Sequence, residues 1–395
     1  MGRSGVKRRK IAVVTTSRAD FGLLSGLLRS IRSDKALQLQ LIVSGMHLSR
    51  RFGGTWREIE AAGFKLDRRI ALGSVGGSSL DNLQAIGVGM KRFGAALSEL
   101  KPDLLVLLGD RFELLAPAIA ALMLGVPIAH IHGGELSEGA IDDSVRHAIT
   151  KMASLHFPAT EEYRKRILQM GEAPSRVFNF GAPGLDQIHG VPLMTRAEVE
   201  HELGLSLQEP VALVTYHPVT RDLGNIDQQL DALLGAVTAS GVKAVFTMAN
   251  ADAHGDRINR RLQQFCAKDP STYKWFPHLG HRRYLSCLKH LALMIGNSSS
   301  GLTEAPSFRM PVVNIGDRQQ GRVRAKNLID VACDQAAILA GIERALSTRF
   351  LNSLRGMRNP YERFRDGRVS ERIKDVLKSF DLSSDLLKKK FYDLA

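Results

Sequence analysis

The chain has 395 residues, 44% of them apolar and 24% charged, a globular composition that suffices for two or three domains of roughly 100–200 residues. No apolar run reaches the roughly 18 residues of a membrane-spanning helix; the longest, residues 114–126, carries a glycine and a proline and reads as a buried helix. The formal net charge of +14 favours anionic partners, either nucleic acid or phosphorylated small molecules. Arg3, Lys7, Arg8, Arg9 and Lys10 supply part of that charge and read as a solvated leader. With two Trp, six Tyr and no basic stretch interleaved with aromatics, no nucleic-acid surface is expected. The basic start runs into a strand pattern rather than a long apolar signal core, so a cytoplasmic protein without membrane contact is expected. Cys266, Cys287 and Cys333 are odd in number and form no C-x-x-C pair, which argues against a disulfide framework.

In chain order, short β-rich runs fall at residues 11–16, 39–44, 104–108, 128–131 and 155–158, mostly without polar alternation. Continuous apolar strands of this kind are buried on both faces, as in a parallel sheet. Helical patterns separate them at 21–31, 55–62, 80–100, 114–124 and 141–153, and Lys101-Pro102-Asp103 stops the third. The series pauses over about 185–209, then restarts with runs at 211–215, 244–247, 291–295 and 312–315. A last helix, about 370–380, follows Asn359-Pro360-Tyr361 and an Asp366-Gly367 turn. The expected fold class is therefore α/β, two successive doubly wound domains facing a cleft.

Ligands of open α/β sheets bind beyond the carboxyl ends of the strands. Those ends carry Ser17-Arg18-Ala19-Asp20, Gly109-Asp110-Arg111, His130-Ile131-His132-Gly133-Gly134-Glu135 and the following Ile141-Asp142-Asp143. In the second half they carry His217-Pro218, Asn250-Ala251-Asp252, Gly296-Asn297-Ser298-Ser299-Ser300-Gly301 and Gly316-Asp317-Arg318. Acid, base and cation recur at this edge while the strands stay apolar. The Gly296–Gly301 stretch opens a helix expected to run towards Phe308, whose free amides and serine hydroxyls suit a phosphate. Glu304, one turn in, suits ribose hydroxyls, and Arg318 the phosphate; a plain serine N-cap is the bland alternative. No Gly-Lys-Ser/Thr and no G-x-G-x-x-G after the first strand is present, so ATP hydrolysis and NAD chemistry lose their main support.

Taken together, Ser-Arg-Ala-Asp, Gly-Met-His-Leu, Gly-Asp-Arg, His-Ile-His-Gly-Gly-Glu, Ile-Asp-Asp-Ser-x-Arg-His-Ala-Ile-Thr-Lys and Ile-Gly-Asn-Ser-Ser-Ser-Gly resemble the hydrolysing UDP-N-acetylglucosamine 2-epimerases, in the family's order from about Lys10 to Lys378. The resemblance implies two Rossmann-like domains of GT-B type, residues 1–185 and 186–365, with a helical segment, 366–395, returning to the first. It implies elimination of UDP to a glycal and hydration to an N-acetylmannosamine-type sugar, as in sialic acid synthesis. UDP-N-acetylglucosamine is the leading substrate. UDP-diacetylbacillosamine, used towards legionaminic acid, and a GT-B glycosyltransferase are the alternatives. Asp110, Glu135 and Asp142 match family carboxylates at the sugar, and His217 a histidine near the diphosphate. Arg18, Arg111, Ser298, Ser299, Glu304 and Arg318 match family UDP contacts, and Asn250, at a strand end, is a further candidate substrate or UDP contact. Some relatives have Glu where this chain has His132, so that role falls to His132 or Glu135. Gly22 stands where some relatives place a nucleotide-contacting serine, and that contact is not carried over. No cofactor or metal is expected, and a homo-oligomer, dimer or tetramer, is.

Bland readings stand beside these. Asp142/Arg146 and Asp143/His147 are i,i+4 pairs of the kind that make ordinary helix salt bridges. His130 and His132 would share one strand face at a metal-compatible spacing, although strand histidines more often pack through hydrogen bonds. His217-Pro218 serves equally as a strand terminator, and Asp110-Arg111 as a pair holding a loop. A non-catalytic nucleotide-sugar sensor is the rival of a different class.

Overall fold

A computed structural model describes residues 8–50, 53–73, 78–137, 141–217, 225–249, 255–383 and 386–394. The chain divides into two compact units, Met1–His189 with Tyr361–Ala395, and Gly190–Pro360. In the first unit the strands are β1 (Arg9–Thr15), β2 (Leu37–Ser44), β3 (Arg68–Ile70), β4 (Leu104–Leu108), β5 (Ile128–Ile131) and β6 (Leu155–Phe157). They form one sheet in the order β3-β2-β1-β4-β5-β6, and every pairing is parallel, with Val13 opposite Leu41 and Val106. Leu104–Leu108 is buried at every position, because helices cover both faces.

The Arg18–Ser33 helix shows how the sequence writes its own boundary. Ser17 Oγ accepts from the Asp20 amide at 3.3 Å, and the Asp20 carboxylate accepts from the Ser17 amide at 3.0 Å, a reciprocal cap. Its Leu24, Leu27, Leu28 and Ile31 recur at helical spacing and enter the core beside Ile11, Val13 and Val106. The Val369–Ser379 helix adds Ile373 and Leu377 to that same cluster. Its first amides are met by Asp186, which accepts from Val369 N at 2.8 Å and Ser370 N at 2.6 Å. The last helix therefore belongs to the first unit.

The second unit repeats the plan. Its strands are β7 (Val211–Thr215), β8 (Lys243–Thr247), β9 (Tyr273–Phe276), β10 (Leu293–Gly296), β11 (Val312–Ile315) and β12 (Leu328–Val331). They order as β12-β11-β10-β7-β8-β9, again all parallel. Counted from β7, this is the same doubly wound order as the first sheet. Three strands beyond the nine expected from apolar runs, β3, β9 and β12, all lie at sheet edges. Their sequences, RRI, YKWF and LIDV, are half-exposed and carry charge, as edge strands do.

One expected helix is shorter than anticipated. The turn after Asn297 makes only the helix Ser300–Thr303, followed by a 3-10 helix, Ala305–Phe308. Pro306 has no amide to continue the α-helical ladder, and Arg309, at φ 55°, ends the segment. Among the described residues no helix is long and apolar enough to cross a membrane. All three cysteines are free, and burial pushes the thiols of Cys266 and Cys287 up to about 12.

Candidate active site

In each sheet the strand order reverses between two neighbours, β1 and β4 in the first unit, β7 and β10 in the second. The loops beyond their carboxyl ends diverge there and leave room for a ligand. The first unit's polar residues concentrate at that edge and at the adjoining end of β5. Gly109 N donates to Ile131 O at 3.0 Å, so the loops after β4 and β5 are tied together.

Asp110 accepts a hydrogen bond from Arg146 of the Ile141–Met152 helix. The Arg146 side chain is only 3% exposed, whereas Asp110 keeps 23%. Arg146 also donates to Ser137 Oγ at 3.3 Å, and Ser137 N donates to Asp143 at 2.8 Å. The helix thus fixes the carboxylate from behind while one side of it stays accessible. Asp142 sits half-buried in the first turn of the same helix. Asp143 and His147 approach to 3.5 Å, the helix pair expected from their spacing.

His132 leaves β5 with φ 64°, a left-handed backbone rare for a non-glycine residue. Its Nδ1 lies 2.5 Å from Glu135 Oε1, while its Nε2 is buried and has no protein partner among the described residues. A carboxylate on Nδ1 fixes the ring and its tautomer, leaving Nε2 to take or give a proton. That hydrogen bond orients both side chains. The metal-compatible pairing of His130 with His132 does not form. His130 spends its Nε2 on Gly109 O at 2.8 Å and its Nδ1 on Thr150 Oγ1 at 3.1 Å. Burial pushes His130 down to about 3, so it is a neutral tie between β4 and the helix after β5.

Arg111 donates to Glu113 Oε1, two residues on, at 2.7 Å and to Met46 Sδ at 3.2 Å. Arg18, half-exposed at the start of its helix, lies 3.1 Å from Glu58.

In the second unit, His217 and Asn297 lock the two loops of the switch point. His217 N donates to Asn297 Oδ1 at 2.7 Å, and Asn297 Nδ2 donates back to His217 O at 2.9 Å. The approach demands glycine at Gly296, φ 136°, where a Cβ would stand 1.9 Å from Thr215 O. His217 is buried, and burial, then the charge of Arg318, pushes it down to about 3. Its imidazole is therefore neutral. Arg318 Nη1 donates to Asn297 O at 3.1 Å, which brings that cation to the Ser298-Ser299 turn. Ser300, next in that turn, accepts from the Tyr284 hydroxyl at 2.6 Å. Thr303 donates to the Glu304 carboxylate, which sits one turn beyond. Asn250, the remaining expected contact, lies outside the described residues.

Three positioning residues escaped the sequence reading of the site. Glu113 is 1% exposed and holds Arg111, and its Oε2 is buried without a partner among the described residues. In sequence it stands in the charged Gly109-Asp110-Arg111-Phe112-Glu113 stretch after β4, where no role is assigned to it. His47 joins Thr15 Oγ1 at 3.0 Å to Thr55 Oγ1 at 2.7 Å, and burial pushes it down to about 4. The third is Arg146, in sequence a member of the Ile-Asp-Asp-Ser-x-Arg-His motif and an i,i+4 neighbour of Asp142; its bond to Asp110 spans 36 residues. Among the described residues no group of three or more His, Cys, Asp or Glu side chains is arranged to hold a metal ion.

The sequence matches the profile of a family described as UDP-N-acetylglucosamine 2-epimerase over residues 29–378. It is 42% identical over 326 residues to the GDP/UDP-N,N'-diacetylbacillosamine 2-epimerase (hydrolyzing) of Campylobacter jejuni, covering 82% of this chain and 85% of that protein. It is 36% identical to the UDP-N,N'-diacetylbacillosamine 2-epimerase (hydrolyzing) of Legionella pneumophila, covering 96% and 98%. Among solved structures, UDP-GlcNAc 2-epimerase from Neisseria meningitidis bound to UDP-GlcNAc superposes with a TM-score of 0.78. That match covers 93% of this chain and 99% of that one at 15% identity, a likeness of fold.

Proposed function

The chain belongs to the UDP-N-acetylglucosamine 2-epimerase family, and on that premise we propose that it is a hydrolysing 2-epimerase of a UDP-2-acetamido sugar. The favoured sugar is the 2,4-diacetamido-6-deoxy type named for the Campylobacter and Legionella relatives; this reverses the order drawn from sequence, which led with UDP-N-acetylglucosamine. The observation that carries the reading is the pairing of Asp110 with Arg146 and of His132 with Glu135 at the tied ends of β4 and β5. Two oriented proton-transfer groups on adjacent loops are what a proton-removal, proton-return reaction needs.

The reaction balances in two steps. A base takes the C2 proton, the C1–O bond breaks with its electron pair going to UDP, and a 1,2-unsaturated sugar is left. Water then adds, its hydroxyl to C1, while an acid delivers a proton to the opposite face of C2. Asp110, Asp142, Glu135 and His132 are the candidates for those transfers. The Nε2 of His132, without a protein partner among the described residues and oriented by Glu135 on Nδ1, takes the place of the family carboxylate at that position. The second unit supplies the nucleotide contacts: Arg318, Ser298 and Ser299 for the diphosphate, Glu304 for the ribose. His217 stays uncharged beside them and serves as a hydrogen-bonding group. Arg18 and Arg111, beside Glu58 and Glu113, are the first unit's candidate UDP contacts.

The test is turnover in heavy water with UDP-diacetylbacillosamine and with UDP-N-acetylglucosamine, the product read by NMR. Release of UDP and a manno-configured sugar carrying deuterium at C2, without an acceptor, is the expected result, faster for the diacetamido sugar. Gluco product, or protium retained at C2, overturns the epimerase reading. A faster rate with UDP-N-acetylglucosamine corrects the sugar alone, and UDP binding without turnover points to a sensor.

A further inference from the structure

The second unit carries a cavity of about 290 Å³ away from the residues just assigned, lined by Arg324, Lys326, Arg355 and Arg358 and by no acidic side chain. Arg324 forms an ion pair with Asp330 outside the lining. The side chains of Lys326, Arg355 and Arg358 have no acidic or hydrogen-bonding partner among the described residues. Ser353 and the buried Met357 complete the wall.

The two loops that bring these charges together are firmly held. Residues 324–326 precede Asn327, fully buried, whose Nδ2 donates to Met310 O at 2.9 Å and to Gly301 O at 3.3 Å. Residues 355–358 lie between Leu354, packed in the core, and Asn359, whose Nδ2 donates to Thr303 O and Ser307 Oγ, each at 2.7 Å. Gly356, at φ 73°, turns the chain between Arg355 and Arg358 so that both reach one cavity.

Some arginines elsewhere on this protein are met by acids, as Arg257 and Arg261 are by Asp227 and Arg372 is by Asp366. Lys326, Arg355 and Arg358, three cations around one hollow without an acid in its lining, repel one another, and an anion relieves that repulsion. Guanidinium forks match phosphate oxygens in pairs. The volume suits a small molecule at the lower end of ordinary ligand pockets. An extended polyanion would call for a longer stripe with aromatic faces, and no aromatic residue lines the cavity. We propose that this cavity is a binding site for a small phosphoanion, distinct from the Ser298–Arg318 edge.

Calorimetry with pyrophosphate tests it on the full chain. Wild-type protein and Arg318→Ala should each show a site that Arg355→Ala/Arg358→Ala weakens at least about tenfold, since each charge-assisted bond contributes roughly that factor. Both arginines are exposed, so thermal melts should show the double variant folded. Absence of binding to the wild type, affinity unchanged in the double variant, or complete loss in Arg318→Ala overturns the proposal. So does a short DNA duplex that competes with pyrophosphate and depends on the same two arginines, which would make the surface one for nucleic acid.

Discussion

Replacing Asp110 by Asn, Arg146 by Met, and both together, tests how one carboxylate of the candidate site is held. The Arg146 side chain is 3% exposed and Asp110 23%, so the pair is shielded on one side and wet on the other. Removing one partner of a fully buried pair costs about 3–5 kcal/mol, because the remaining charge loses its compensation. Partial access of Asp110 to water lowers that, and Asn keeps an acceptor for the guanidinium, so about 2 kcal/mol is expected for Asp110→Asn. Arg146→Met strands a carboxylate that still reaches solvent, and a similar or smaller loss follows. The pair should therefore couple by about 1.5–3 kcal/mol in a double-mutant cycle measured by urea unfolding. Turnover gives the second readout. Asp110→Asn should lose about 10²–10⁴ in rate if the carboxylate moves a proton. Arg146→Met should lose rate as well, because its carboxylate is no longer aimed. Coupling below about 0.5 kcal/mol would refute the constrained pair, and full activity in Asp110→Asn would remove it from the chemistry.

His132→Ala should lower kcat far more than it weakens UDP binding, and Glu135→Gln should lower kcat in the same way by weakening the hold on Nδ1; losses that merely follow thermal stability would reduce His132 to a packing residue. Stability itself should fall as the solution is acidified. His47, His130 and His217 have folded pKa values near 4, 3 and 3 against 6.5 unfolded, so below about pH 6.5 the unfolded chain binds more protons than the folded one. Each contributes a slope of up to roughly 1.4 kcal/mol per pH unit until its folded pKa is reached. Thermal melts from pH 7.5 to 4.5 should show this decline, and a constant Tm over that range would contradict it.

Much of this protein is written locally. Apolar runs such as Leu104–Leu108 announce strands covered on both faces, and the alternation with helices fixes the parallel, doubly wound class. Caps are equally local: Ser17 and Asp20 mark a helix start within four residues. The position of ionisable residues immediately after strands then marks the edge of the candidate site, and the motifs Gly-Asp-Arg and His-Ile-His-Gly-Gly-Glu carry the family resemblance. What chain order alone leaves undecided is pairing across distance. Arg146 is one helical turn from Asp142 in sequence, yet its place beneath the β4 loop lets it grip Asp110. Whether His130 or His132 keeps a free nitrogen depends on which ring meets Gly109 O and Thr150, partners some twenty residues away. Edge strands escaped for the same reason: RRI and LIDV have too little buried surface to leave a pattern, and only a neighbour already in the sheet makes them strands. The basic cavity is the extreme case. Lys326 and Arg358 are ordinary surface residues in sequence, and only the folding of two loops onto the same buried segment makes them neighbours.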